Sequence, residues 1–312
     1  MSLLDLEKLS GRRPSEPDRL DVLATTLFRP MGADGLYART GVYESVVAAL
    51  AELISRYRPA NAEVLRFPPV MSREILQISG YQNSFPNLLG CVCCLGGTNP
   101  LSAQDANGID AGETWTDGLA LADLVLTPAA CYPVYPLAAK QGRVPRQGYV
   151  FDVACDCFRR EPSRDIDRLQ SFRMREYVRV GTPEQVKEFR EGWIEQAKAI
   201  TNQLGLPFRL ELASDPFFGR TAPLMAAIQT ENALKFELQI PILGEDRPTA
   251  CMSFNYHRDH FGRVWGLAGE DGGVSHTGCV AFGMDRLAIA LFAAHGVQLK
   301  TWPKPVRALL GV

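Results

Sequence analysis

Phe158-Arg159-Arg160-Glu161, an arginine-rich turn, and then Ser171-Phe172-Arg173-Met174-Arg175-Glu176 form the stretch that decides how this chain folds. It reads as a strand, a charged turn and a returning strand. Side chains alternate along a strand. Arg159 and Glu161 are therefore expected on one face, and Phe172, Met174 and Glu176 on one face of the return. Seven arginines fall between positions 159 and 179, against four acids. The planar guanidinium fork matches phosphate oxygens. An arginine for a phosphate, a carboxylate for an exocyclic amine and a ring for a base would thus line one wall. The competing reading of the same residues is a solvated basic hairpin or a charge network that is purely structural.

Working outward, the 312 residues are 46% hydrophobic and 22% charged, a soluble globular composition with enough apolar residues for a large core. The formal net charge of −2 argues against a dedicated nucleic-acid binder, which usually carries a basic face. Met1-Ser2-Leu3-Leu4-Asp5 does not open a secretory signal, and no run of 18 apolar residues suggests a membrane span. A cytoplasmic protein is expected. Of the eight cysteines, Cys91, Cys93, Cys94, Cys155 and Cys157 lack the spacing of common zinc modules and read as small buried hydrophobes.

Polar residues with Pro14 and Pro17 make positions 1 to about 20 a loose lead-in, and helical character in the first 60 residues comes from Val42, Val46, Leu50, Leu53 and Ile54 between Thr40 and Arg58. Met71 to Ser79 reads as a short helix, Leu101 to Asp110 as a loop and Asp117 to Leu126 as a compact apolar segment. Strands are expected at Gly148–Phe158, Phe172–Val180, Phe208–Leu212 and Cys279–Phe282. Thr182-Pro183-Glu184-Gln185 carries a capping box with proline at the first helical position. The apolar stripe Val186, Phe189, Trp193, Ala197, Ile200 and Leu204 then runs to Gly205. Leu234, Phe236, Leu238 and Ile240 alternate with polar residues as a half-buried strand before Pro241. Gly283 to Ala294 reads as a helix closed by Gly296. Without a βαβ rhythm, the pattern predicts one α+β domain over residues 1–312: an antiparallel β-sheet flanked by helices, packed on one side.

Phe158-Arg159-Arg160-Glu161 resembles motif 2 of class II aminoacyl-tRNA synthetases, and Ala281-Phe282-Gly283-Met284-Asp285-Arg286 resembles their motif 3. The finer resemblance is to the atypical seryl-tRNA synthetases of methanogenic archaea. It is carried by Pro128-Ala129-Ala130-Cys131, Arg175-Glu176, Ser253-Phe254-Asn255 and Thr277-Gly278-Cys279, and it covers roughly residues 65 to 300. Neither the N-terminal tRNA-binding domain of that group nor an anticodon-binding domain is recognisable. The chain therefore looks like the amino acid:[carrier protein] ligases, stand-alone homologues of that catalytic core.

The resemblance implies ATP-dependent activation of a small amino acid, glycine or alanine, as an aminoacyl-adenylate. Transfer to the phosphopantetheine thiol of an acidic carrier protein follows. It implies Arg159 on the α-phosphate, Arg286 on the γ-phosphate, Glu161 at the adenine amine and Phe172 stacked on the ring. Arg168 and Leu169 would close over the nucleotide, Lys235 would reach it, and Ala250, Cys251, Met252 and Ser253 would line the remaining edge. Magnesium would bridge the phosphates. Cys131, Glu176 and Cys279 would hold zinc, with the amino acid's amine at the open position. Taken singly, each cysteine reads as a core residue and Glu176 as a partner for an arginine. His257-x-x-His260 reads as a structural or ATP-adjacent loop, with a divalent-ion site as the competitor. Trp265 and Met252 are expected to fill the amino-acid pocket, and a homodimer is expected. Two alternatives remain at this level: a synthetase-like enzyme acting on tRNA, and a catalytically inactive regulatory paralogue. A ligase of the asparagine or biotin type shares the fold.

Overall fold

The computed structural model describes residues 16–95 and 119–312. In chain order the elements are α1 (Glu16–Leu27), β1 (Phe28–Pro30), β2 (Tyr37–Arg39), α2 (Gly41–Arg56), β3 (Glu63–Arg66), β4 (Val70–Ser72), α3 (Arg73–Ile78), α4 (Tyr81–Ser84), β5 (Cys91–Leu95), β6 (Leu119–Leu126) and α5 (Val134–Lys140). There follow β7 (Tyr149–Phe158), β8 (Ser171–Gly181), α6 (Pro183–Gln203), β9 (Arg209–Leu212), α7 (Ala222–Glu231), β10 (Lys235–Ile240), β11 (Thr249–Arg258), α8 (His260–Trp265), β12 (His276–Gly283), α9 (Met284–His295) and α10 (Lys304–Leu310). Seven strands form the main sheet in the order β3-β7-β8-β12-β11-β10-β9. All its pairs are antiparallel except β3 with β7. A hairpin of β1 and β2 and a small sheet β4-β6-β5 stand beside it.

The sheet's two faces carry different work. On β8, Tyr177 packs against Trp193 of α6 and Phe282 of β12, on the side covered by α2, α6 and α9. Phe172, Met174, Val178 and Val180 face the other way, toward α5 and α8. The period of two along the strand produces this split. α9 is almost wholly buried because Leu287 to Ala293 contact core all round. The Thr182–Gln185 capping box is present and satisfies the first turn of α6. Between β7, β8 and α2, Arg175 grips Asp152 with two bonds of 2.9 and 2.6 Å and reaches the Ala51 carbonyl and Ser55 hydroxyl. Among the described residues no helix is long and apolar enough to cross a membrane.

Several expectations change. Helices cover both faces of the sheet rather than one, because α5 and α8 bury a second cluster of apolar side chains against β7 and β8. The lead-in is ordered from Glu16: Leu23 and Leu27 of α1 are buried in the main core. Residues 1–15 lie outside the described residues, as does the loop expected at Leu101–Asp110. Met71 begins in a strand, and Ser72 caps α3 by accepting from the Glu74 N–H. The apolar segment ending at Leu126 is strand β6. Cys155 and Cys157 are buried as expected, but Cys91, Cys93 and Cys94 are exposed on β5.

Candidate active site

On the α5 and α8 face, the main sheet and the segment around α4 enclose a cavity of about 470 Å³. Arg159, Glu161, Leu169, Phe172, Glu176, Lys235, Ala250, Cys251, Met252, Ser253, Cys131, Cys279 and Arg286 all line it. The motif residues thus converge from five separate segments. Arg168 stands outside the lining, at the mouth, paired with Glu161 at 3.4 Å.

Arg159 and Glu161 do not sit in a strand. β7 ends at Phe158, and the Arg159 N–H returns to the Gln170 carbonyl. The guanidinium of Arg159 lies 5.5 Å from the centre of the Phe172 ring and donates from Nε to the Pro128 carbonyl at 3.1 Å. Arg286, in the first turn of α9, is held the same way: Nε donates to the Asp167 carbonyl at 2.9 Å and Nη1 to the Ala250 carbonyl at 3.0 Å. Among the described residues neither arginine makes an ion pair. Neutral carbonyls fix the direction of each fork without cancelling its charge, which leaves that charge for an anion.

Lys235 is placed differently. The apolar residues Phe236, Leu238 and Ile240 pack on the helix side, so Lys235 and Glu237 turn into the cavity rather than to solvent. The Lys235 ammonium is bound to Asp215 at 2.6 Å and Glu237 at 2.9 Å. Burial opposes the charge, but the Asp215 and Glu237 carboxylates hold the ammonium above its ordinary range. With two acids to one base, this corner is not shaped for a phosphate.

Deeper along β8 and β12, ligand atoms of Cys131, Glu176 and Cys279 lie within 4.8 Å of one another, and all three residues are buried. Cys131 comes from the turn before α5, and its N–H donates to Oε1 of Glu176 at 2.9 Å. Burial pushes the Glu176 carboxyl up, partly countered by hydrogen bonds from Cys279 and Cys131. The hydrogen bond with Cys131, then burial and the Glu176 charge, push the Cys279 thiol well above its usual range. Two thiols and a carboxylate at this spacing are a donor set suited to zinc with one position left open. The Asn255 amide donates to Cys279 Sγ at 3.4 Å, and His257 Nε2 stands 3.8 Å from the same sulfur. Burial pushes the His257 imidazole down to about 4, so it is neutral near pH 7. Among the described residues neither His257 nor His260 joins a three-ligand cluster.

Met252 borders the cavity, but its side chain is packed in the helix-side core, and Trp265 is not part of the lining. The aromatic residues that bound the cavity from α4, α5's approach and α8 are Tyr81, Tyr132 and Phe261. Sequence reasoning missed these, along with Asp215 and Asp285. Only Asp285 carried a signal, an acid in the first turn of a helix.

Residues 119–295 match the family described as tRNA synthetase class II core domain (G, H, P, S and T). Over 312 residues the chain is 57% identical to amino acid--[acyl-carrier-protein] ligase 1 of Bradyrhizobium diazoefficiens, spanning all of this chain and 96% of that protein. It is 28% identical over 193 residues to the type-2 serine--tRNA ligase of Methanopyrus kandleri, covering 58% of this chain and 37% of that one. The crystal structure of M. kandleri SerRS in complex with A. aeolicus tRNASec superposes with a TM-score of 0.77 at 19% identity, over 96% of this chain and 60% of the other. With a conserved-length match of this kind and the two arginines, the ring and the buried donor set in one cavity, the chain belongs to the class II tRNA synthetase core family and, within it, to the amino acid--[acyl-carrier-protein] ligases.

Proposed function

We propose that this chain joins an amino acid to ATP, releasing pyrophosphate, and passes the aminoacyl group to the phosphopantetheine thiol of an acyl-carrier protein. The observation that carries the reading is the single cavity in which two unpaired guanidiniums and an aromatic ring lie beside a buried Cys131/Glu176/Cys279 cluster. The near full-length identity to a ligase of that name supports the acceptor.

In this reading Phe172 stacks on adenine, Glu161 accepts from its amino group, and Arg159 binds the α-phosphate that the amino acid's carboxylate attacks. Arg286 holds the terminal phosphate, with magnesium bridging the phosphate oxygens. Leu169 and Arg168 cover the nucleotide. Ala250, Cys251, Met252 and Ser253 form its far edge, and Lys235 with its two acids lies next to it. The protein's task is to position the groups and balance charge, which suits fixed guanidiniums. Cys131, Glu176 and Cys279 would hold zinc, which supplies an open position for a neutral amine. Glycine or alanine is the proposed substrate, with Tyr132 and Phe261 among the cavity walls. A homodimer acting as one catalytic unit per chain, with no part played by tRNA, completes the reading.

The test is ATP–pyrophosphate exchange with each amino acid, followed by holo-carrier protein and total tRNA as acceptors. Exchange with a small amino acid and transfer to the carrier are the expected results. Transfer to tRNA with none to the carrier would replace this reading with a synthetase.

A further inference from the structure

The pairing of β11 with β12 breaks at one point, beside the donor cluster. Tyr256 pairs with Gly278 and Arg258 with Thr277, so His257 between them has no partner on β12. Arg258, at φ +54°, holds a left-handed conformation that a residue other than glycine rarely adopts. A bulge of this kind re-aims a side chain and recurs next to active sites. Here it sets the His257 imidazole across two residues of β12. Nδ1 lies 3.1 Å from the Thr277 hydroxyl, and Nε2 lies 3.8 Å from the sulfur of Cys279. The Tyr135 hydroxyl stands 3.4 Å from the same Nδ1. The imidazole meets Phe261 edge-on at 5.2 Å, and Phe261 stacks on Tyr135 at 4.0 Å. Thr277 and Tyr135 are buried, while His257 is half-buried and lines the cavity.

These contacts decide which nitrogen carries the hydrogen. A cysteine that holds a metal is a thiolate, which accepts and cannot donate. A bare lone pair on Nε2 would face that sulfur unfavourably, so the hydrogen belongs on Nε2. Nδ1 is then the acceptor, and each hydroxyl beside it has a hydrogen to give. The Asn255 amide already donates to the Cys279 sulfur at 3.4 Å. Two N–H groups of β11 thus converge on one sulfur, the first from the regular Asn255–Cys279 pair and the second from the bulge.

We propose that His257 is a positioning residue for the metal centre: its Nε2–H donates to the Cys279 thiolate, and Thr277 and Tyr135 fix the tautomer at Nδ1. The assignment rests on the reading of Cys131, Glu176 and Cys279 as zinc ligands. A hydrogen bond to the sulfur eases its charge and holds the ligand in one orientation. With its lone pair engaged at Nδ1, the imidazole also leaves the open position to the amino acid's amine.

The experiment compares the full chain with its His257→Leu and His257→Gln variants. Zinc affinity is read by competition with a chelator, and the sulfur-to-metal absorption band is read on cobalt-substituted protein. Leucine removes the N–H, whereas the glutamine amide places one near Nε2. His257→Leu should bind zinc about 10–100-fold more weakly, and its cobalt band should move to longer wavelength as the sulfur becomes more electron-rich. His257→Gln should recover most of both. Wild-type affinity and band position in His257→Leu overturn the assignment. So does a glutamine variant as weak as the leucine one, which makes the ring itself, as ligand or as filler, the active feature. Nitrogen NMR of histidine-labelled, zinc-loaded wild type involves no substitution: it should find the hydrogen on Nε2 of His257, and a hydrogen on Nδ1 overturns the assignment. A wild-type chain that takes up neither zinc nor cobalt overturns the metal reading and this assignment together.

Discussion

Arg173 and Asp285 are joined through both backbone and side chain. The Arg173 N–H donates to Oδ2 at 2.5 Å, and Nη2 donates to Oδ1 at 2.7 Å. Asp285 is 1% exposed and also accepts from the Tyr43 hydroxyl at 2.8 Å. One carboxylate thereby ties β8 and α2 to the first turn of α9, next to Arg286.

Asp285→Ala leaves the Arg173 N–H and the Tyr43 hydroxyl without their acceptor in a buried place, and leaves the Arg173 guanidinium with Glu44 alone. Removing one member of a buried pair costs about 3–5 kcal/mol. Urea unfolding of the variant should show a loss of that size with an unchanged slope. A loss below about 1 kcal/mol would mean that water replaces the carboxylate and that the tie is not structural.

Cys279→Ser should separate the metal from the nucleotide. Wild-type protein grown with zinc should carry about one ion per chain, and the variant close to none. Amino-acid exchange should fall with the metal, while ATP affinity, read by calorimetry, stays within about twofold because Arg159, Phe172 and Arg286 are untouched. Equal zinc in both proteins would remove Cys279 from the ligand set.

Asp152 gives the acid limit of the fold. Burial pushes its carboxyl up, but the hydrogen bonds and charges of Arg175 and then Arg66 outweigh this and hold it below the ordinary range. A folded value below the unfolded value of about 3.9 means that the stabilisation is fully present above that pH and is lost as pH falls through the folded value. Asp152→Asn should be less stable than wild type by about 3 kcal/mol at pH 7, and the gap should narrow below about pH 4. A gap independent of pH in urea unfolding at pH 7, 4 and 3 would contradict the linkage.

The parts of the fold that were legible in the sequence are those where local chemistry and burial agree. β8 alternates cleanly, and α6 announces its start with a capping box and its core side with a stripe. β11 carries no strand signal in the sequence, because Ser253, Asn255 and His257 turn into a polar cavity and break the apolar period that marks a strand. The alternation of β10 points Lys235 into the cavity as expected, but its pairing with Asp215 and Glu237 has no local signal. Cys131, Glu176 and Cys279 have no local spacing to betray them, since they meet only through the pairing of β8 with β12 and the turn before α5. Only the family resemblance singles them out as a set.

β8 serves as a partition. Odd positions Arg173, Arg175 and Tyr177 anchor it to the helices, while even positions Phe172, Met174 and Glu176 furnish the reaction chamber. Inserting or deleting one residue within it would exchange the two sets at a stroke, aiming guanidiniums at Cys131 and Cys279 and a phenyl ring at the anchoring acids. The strand can therefore change in composition but not in count.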